Sequence, residues 1–186
     1  MSRNILLSML VLILSSLACN MFIGGPEYPD TQIPVSTETA GSVEEQLKQA
    51  IETAKQTGAL SFTVDEAQLT SLVALKIAAD PESFLTEPQV LLRDNEIQIY
   101  GKAVQGYFTA NVRITLSAAV DANGQPLVAL KSADFGPLPA PEGLNSTISA
   151  LVNEAFTGAL GPAATGFRLE SITIANGLMT FTGRIK

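Results

Sequence analysis

Few residues in this chain are able to do chemistry, and most of them sit where structure claims them. The 186-residue sequence has no histidine and a single cysteine, Cys19. Without histidine, a Ser-His-Asp or Cys-His nucleophile has no base, and the common zinc sites lose their usual ligand. Neither Ser-x-x-Lys nor Gly-x-Ser-x-Gly occurs, so histidine-free serine chemistry lacks its signature as well. Close carboxylate pairs precede the long strands at Asp65 with Glu66, Asp80 with Glu82, and Asp94 with Glu96. Each falls at an expected helix start or turn, where a helix dipole or turn geometry favours a carboxylate. Asp121-Ala122-Asn123-Gly124 opens like a calcium loop but lacks the third acidic position and the closing glutamate, so it reads as a turn. Asn145-Ser146-Thr147 spells a glycosylation sequon, but inside an expected helix. No enzyme activity, metal or cofactor is expected from this set.

What remains is the thiol of Cys19. Arg3 supplies a positive start, Ile5 to Leu14 form an almost unbroken apolar run, and Ser16-Leu17-Ala18 bring small residues up to the cysteine. A run of about ten residues is too short to span a hydrocarbon core of roughly 30 Å as a permanent helix. The pattern resembles a bacterial lipoprotein signal, with Ser16 where the lipobox leucine is usual and Leu17 one position nearer the cysteine. That resemblance implies a signal peptide over residues 1–18. It also implies a lipidated Cys19 as the new N-terminus, held on the extracytoplasmic side of a bacterial membrane. An ordinary signal peptide with an incidental cysteine is the alternative.

Loss of Arg3 with the leader leaves 10 basic and 18 acidic residues, a net charge of −8. A nucleic-acid partner needs a basic face, and so does electrostatic docking on anionic lipid, so neither is expected. Membrane attachment would therefore rest on the acyl chains. With one cysteine no internal disulfide forms, and stability must come from packing. Residues 24–41 hold three prolines, three glycines, several Thr and Ser, and no basic residue or period. They read as a flexible tether following the lipidated cysteine over residues 19–41, averaging roughly 25 Å end to end. A single domain is expected from residue 42 to residue 186.

The elements of that domain follow from hydrophobic period. Ser42-Val43-Glu44-Glu45 spells a capping box, after which Val43, Leu47, Ala50, Ile51 and Ala54 share a helical face up to Gly58. After a short apolar stretch at Leu60 to Val64, Thr63-Val64-Asp65-Glu66 repeats the signal before a second helix whose apolar face is Leu69, Leu72, Val73, the Lys76 stem and Ile77. From about Glu87 the period becomes 2. Arg93 to Glu96 form a turn, and a very long strand runs from Tyr107 to Asp121. Phe108, Ala110, Val112, Ile114, Leu116, Ala118 and Val120 share one face of it; Thr109, Asn111, Arg113 and Thr115 lie on the other. Asn123-Gly124 and Asn176-Gly177 read as primed hairpin turns, and the phase slip between Leu169 and Ile172 as a bulge. Glu142 to Leu160 carry a wide apolar stripe and read as a third helix.

The expected fold is α+β: a long curved antiparallel β-sheet wrapped around a C-terminal amphipathic helix, with two N-terminal helices. Such a sheet encloses an elongated apolar interior, either packed core or, if loose at one end, a slot for an acyl chain or another apolar ligand. The lining residues would be Phe108, Ala110, Val112, Ile114 and Leu116 from the long strand. Leu138 would join them from the Gly136-to-Pro141 lip, Ile148, Val152 and Phe156 from the third helix, and Phe181 from the last strand. Inward alanines such as Ala110, Ala118, Ala155 and Ala159 leave room there.

Five stretches between Phe62 and Lys186 are similar to the YpmS-like extracytoplasmic bacterial proteins, and more distantly to LmeA-like lipid-binding proteins. They are FTVDEAQLTSLV, VLLRDNEIQIYG, DANGQPLV, GPLPAP and ITIANGLMTFTGRI. The resemblance implies an architecture like that of tubular lipid-binding proteins, and lipid binding with it; it carries no catalytic residue. The expected function is thus a membrane-tethered lipoprotein binding a lipid or apolar ligand between sheet and helix. The alternative is an accessory envelope lipoprotein that holds a protein partner on the polar sheet face.

Overall fold

A computed structural model describes residues 21–81, 83–140 and 166–185. In chain order it holds β1 (Met21–Phe22), α1 (Thr37–Thr57), β2 (Ala59–Asp65), α2 (Glu66–Ala79), β3 (Leu85–Arg93) and β4 (Glu96–Gln105). These are followed by β5 (Phe108–Val120), β6 (Pro126–Asp134), β7 (Phe167–Ala175) and β8 (Leu178–Ile185). The α+β class is as expected, with both described helices near the N-terminus. The third helix expected over residues 142–160 lies outside the described residues.

β5 confirms the strongest period in the sequence. Its 13 residues extend roughly 43 Å at 3.3 Å per residue. Ala110, Val112, Ile114 and Leu116 are buried along it. β5 pairs with β4 on one side and with β6 on the other, and β4 pairs with β3. Beyond the end of β6, β1 runs parallel to β5 in the same lane. The terminal hairpin does not extend this sheet. β8 takes β2 as its second neighbour, giving a separate three-stranded sheet β2–β8–β7. The expectation of one sheet is corrected to two, because the apolar stretch after α1 is itself a strand. Register places Phe62 opposite Phe181, and their rings stack at 4.5 Å. One core joins both sheets and both helices, including Leu47, Val64, Val90, Leu92, Val112 and Met179.

The free edge of β3 organises the helices. An edge strand leaves a row of N–H groups without partners, and these must be satisfied where the edge is covered. α2 covers it with side chains. Thr70 Oγ1 accepts from Val90 N at 2.9 Å, and Glu66 Oε1 accepts from Leu92 N at 2.7 Å while pairing with Arg93. This explains why the expected apolar face of α2 is wrong in part. Gln68, Thr70 and Ser71 are buried, whereas Leu72 is exposed.

Caps shift for the same reason. α2 is capped by Asp65, which accepts from Gln68 N at 2.8 Å while the Gln68 side chain accepts from Asp65 N at 3.0 Å. The box is therefore Asp65–Gln68, not Thr63–Glu66. α1 begins five residues before Ser42, capped by Ser36. Ser36 N donates to Ser71 Oγ at 3.1 Å, which fixes the start of α1 against α2. Ser42 lies inside the helix and accepts from Gln68 Nε2 at 2.8 Å. Gly58 stops α1 in the left-handed conformation, as its placement predicts.

Turn chemistry is half as expected. Asn176 and Gly177 have φ of 53° and 75°, a primed turn, and the expected bulge falls between Leu169 and Ser171. The β5–β6 connection is instead a five-residue loop. Asp121 accepts from Gln125 N at 2.7 Å and from Asn123 N at 2.8 Å, bonds that hold its carboxyl below the usual range.

Replacing Thr70 by valine keeps the shape but strands the buried Val90 N–H. A loss of about 1–3 kcal/mol is expected in denaturant unfolding. Thr70→Ser should retain most of the stability; a valine variant as stable as the parent would contradict the bracing of this edge.

Candidate functional site

The residues expected to line an apolar interior fall into three groups. Ala110, Val112, Ile114, Leu116 and Phe181 are buried, the last four of them within the main core. Leu138 is half-buried against that core, near Phe135, whose ring lies 5.9 Å from Phe84. Phe108, on the same face of β5 at its first position, is 43% exposed. From Ile114 to Phe108 the inner face of β5 thus runs without a polar interruption from the buried core to an exposed end. Ile148, Val152 and Phe156 lie outside the described residues, as does Cys19.

The segment expected as a flexible tether is built into the structure from residue 21 onward. Met21 N donates to Tyr107 O at 2.7 Å, Ile23 N to Thr109 O at 2.9 Å, and Asn111 N to Gly24 O at 2.9 Å. The chain then turns across the sheet. Asn111 Nδ2 donates to Pro26 O at 3.1 Å, and Tyr28 donates to Glu87 O with Lys102 Nζ 6.0 Å from its ring centre. Burial, and then the Glu87 carboxylate, push the Tyr28 phenol up from its usual value. Ile33 and Gln89 exchange two hydrogen bonds, at 2.6 and 3.2 Å, before Ser36 reaches Ser71. Composition predicted coil because Pro and Gly dominate here. What composition does not show is that backbone groups of β5 and the edge residue Gln89 offer these residues partners.

The same strap occupies part of the polar face of β5. Asn111 is taken up by Pro26, and Thr115 is buried; Arg113 stays exposed. Sequence reasoning missed the tight crossing that seats it. Gly25 has φ of +120°, and a Cβ there would meet Asn111 O at 2.3 Å; a Cβ on Gly136 would meet Gly25 Cα at 2.5 Å. Three backbones converge where only glycine fits.

A cleft of about 380 Å³ opens elsewhere, lined by Glu66, Leu92, Arg93, Asp94, Ile174, Ala175, Asn176 and Gly177. It lies between the β3–β4 and β7–β8 turns, and none of the expected apolar residues that the structure describes lines it. Of its two carboxylates, Glu66 is engaged by Leu92 N and by Arg93. Of the other carboxylates flagged in the sequence, Asp65 caps α2 and Glu96 pairs with Lys131, while Glu82 lies outside the described residues.

The seating of the strap is testable. Gly25→Ala adds a left-handed penalty of about 1–2 kcal/mol together with a backbone clash. Amide exchange at Ile23 and Asn111 should speed up by about tenfold or more. Gly41→Ala, which meets nothing within 4 Å, should leave both amides as they are. Equal exchange in the two variants would contradict the seating.

No family model and no curated protein matches the chain, so the YpmS-like resemblance rests on the sequence stretches alone. Among solved structures, the chain is similar to a crystal structure of lipopolysaccharide binding protein, with 9% identity and a TM-score of 0.17. The match covers 80% of this chain and 48% of that one, so the chain spans about half its length.

Proposed function

We propose that this chain is a membrane-tethered, extracytoplasmic lipoprotein that binds a lipid or another apolar ligand and performs no catalysis. The observation that carries the ligand reading is the inner face of β5. It stays apolar from the fully buried Val112, through the fully buried and small Ala110, to the exposed Phe108. An acyl chain entering beside Phe108 meets only apolar side chains along that face.

The tethering reading is carried by the leader: a positive start, a short apolar run and a single cysteine at the cut. No described helix is long and apolar enough to cross a membrane. Cys19 is the lipidated residue in this reading, and the acyl chains do the anchoring. The alternative, a protein partner on Thr109, Asn111, Arg113 and Thr115, loses ground because the strap already occupies Asn111.

Two measurements test the two halves. Native mass spectrometry of protein extracted from membranes should show an adduct of lipid mass that is lost on denaturation; a chain consistently bare of ligand would contradict the binding half. Cys19→Ser should move the folded protein from the membrane to the soluble extracytoplasmic fraction. Retention of that variant at the membrane would contradict the anchoring half.

A further inference from the structure

β1 and the β4–β5 turn come together at one tip of the five-stranded sheet. Met21 lies opposite Phe108, Phe22 opposite Thr109, and Met21 N is bonded to Tyr107 O. Gln105 faces Phe108 and Val104 faces Thr109 across the hairpin. Side chains alternate faces along a strand, so Met21 and Phe108 belong to one side of the tip, Phe22 and Val104 to the other. Tyr107 stands at the turn between them. These five side chains are 43% to 76% exposed. Isolated exposed apolar residues need no explanation, but five in one place, on both faces of one tip, do.

The surroundings narrow the partner. Residues 103–112 and 21–26, which build the tip, contain no charged side chain, although the chain as a whole carries a net charge of −7. A surface free of charge can leave water without desolvating an ion. Tyr107 adds an amphipathic ring, of the kind that sits at the level of lipid headgroups.

Chain length supplies the occupant. The tether expected from composition would hold the domain roughly 25 Å from its anchor. Because the strap is bonded to β5 from Met21 onward, only two residue steps separate Cys19 from the tip, a reach of about 7 Å at most. An acylated Cys19 therefore places its chains in the bilayer beside these residues.

We propose that the tip formed by Met21, Phe22, Val104, Tyr107 and Phe108 is a membrane seat that inserts into the bilayer interface next to the lipidated Cys19. The inference rests on Cys19 being the anchor. The seat binds through apolar contact, so it does not require anionic lipid. It also sets Phe108, at the open end of the β5 inner face, against the lipid.

The full chain contains no tryptophan, so a substitution makes a single reporter. Tyr107→Trp puts it at the tip. Leu127→Trp puts it on an exposed residue opposite Ala119, eleven positions along β5 from Phe108 and roughly 36 Å away. Each full-length, lipidated variant is reconstituted into phosphatidylcholine vesicles with brominated acyl chains, and flotation and fluorescence are both read. The expected result is that both variants float and that Tyr107→Trp is quenched severalfold more than Leu127→Trp. Flotation with equal quenching, or with none, overturns the seat and leaves the anchor standing. An unquenched Tyr107→Trp that cross-links to a second copy also overturns it, by assigning the patch to self-association. Failure of both to float overturns the anchor and the seat together.

Discussion

The unpaired edge of β3 is the constraint on which the arrangement depends. Its outward N–H groups cannot be left in a covered position without partners. The structure meets them with a helix instead of another strand. Thr70 and Glu66 reach Val90 and Leu92, and once these contacts set α2, Gln68 and Ser71 fall where they hold α1. Gln89, on the same strand, then fixes the strap through Ile33. One strand edge thus sets two helices and the N-terminal segment, and its side chains are polar because they replace a backbone ladder.

The strap changes the relation between the domain and the proposed anchor. Eighteen residues of loose coil would make a spacer; with residues 21–36 laid across the sheet and the rest in α1, the segment makes a bracket. Gly25 and Gly136 permit the crossing, and Asn111 ties it from both backbone and side chain. The domain is consequently tied close to residue 21, and the apolar tip is the part of it nearest the proposed anchor.

Period and turn chemistry were legible from the residues. β5, the Asn176-Gly177 turn, the slip after Leu169 and the Gly58 stop all follow from local rules that no distant contact overrides. The reading failed where a distant partner decides. Ser36 caps α1 in place of Ser42 because Ser71 fixes it, and residues 21–36 are ordered by β5 and Gln89. Local sequence shows β2 only as an apolar stretch, and its pairing with β8 more than a hundred residues away is decided by that distant partner. Of the expected lining, period correctly placed Ala110, Val112, Ile114, Leu116 and Phe181 inside. It could not tell that Phe108, on the same face, emerges beyond the core.

That emergence carries the central claim, an apolar path leading inward from a membrane-facing end. Photo-cross-linking addresses it most directly. Cells producing the full chain are given a fatty acid with a photoreactive group near its methyl end, and the labelled residues are mapped by peptide mass spectrometry. The account predicts adducts on Phe108, Ala110 and Val112 of β5 and on Leu138. Labelling confined to Cys19 and the outer surface, with none on the inner face of β5, would contradict it.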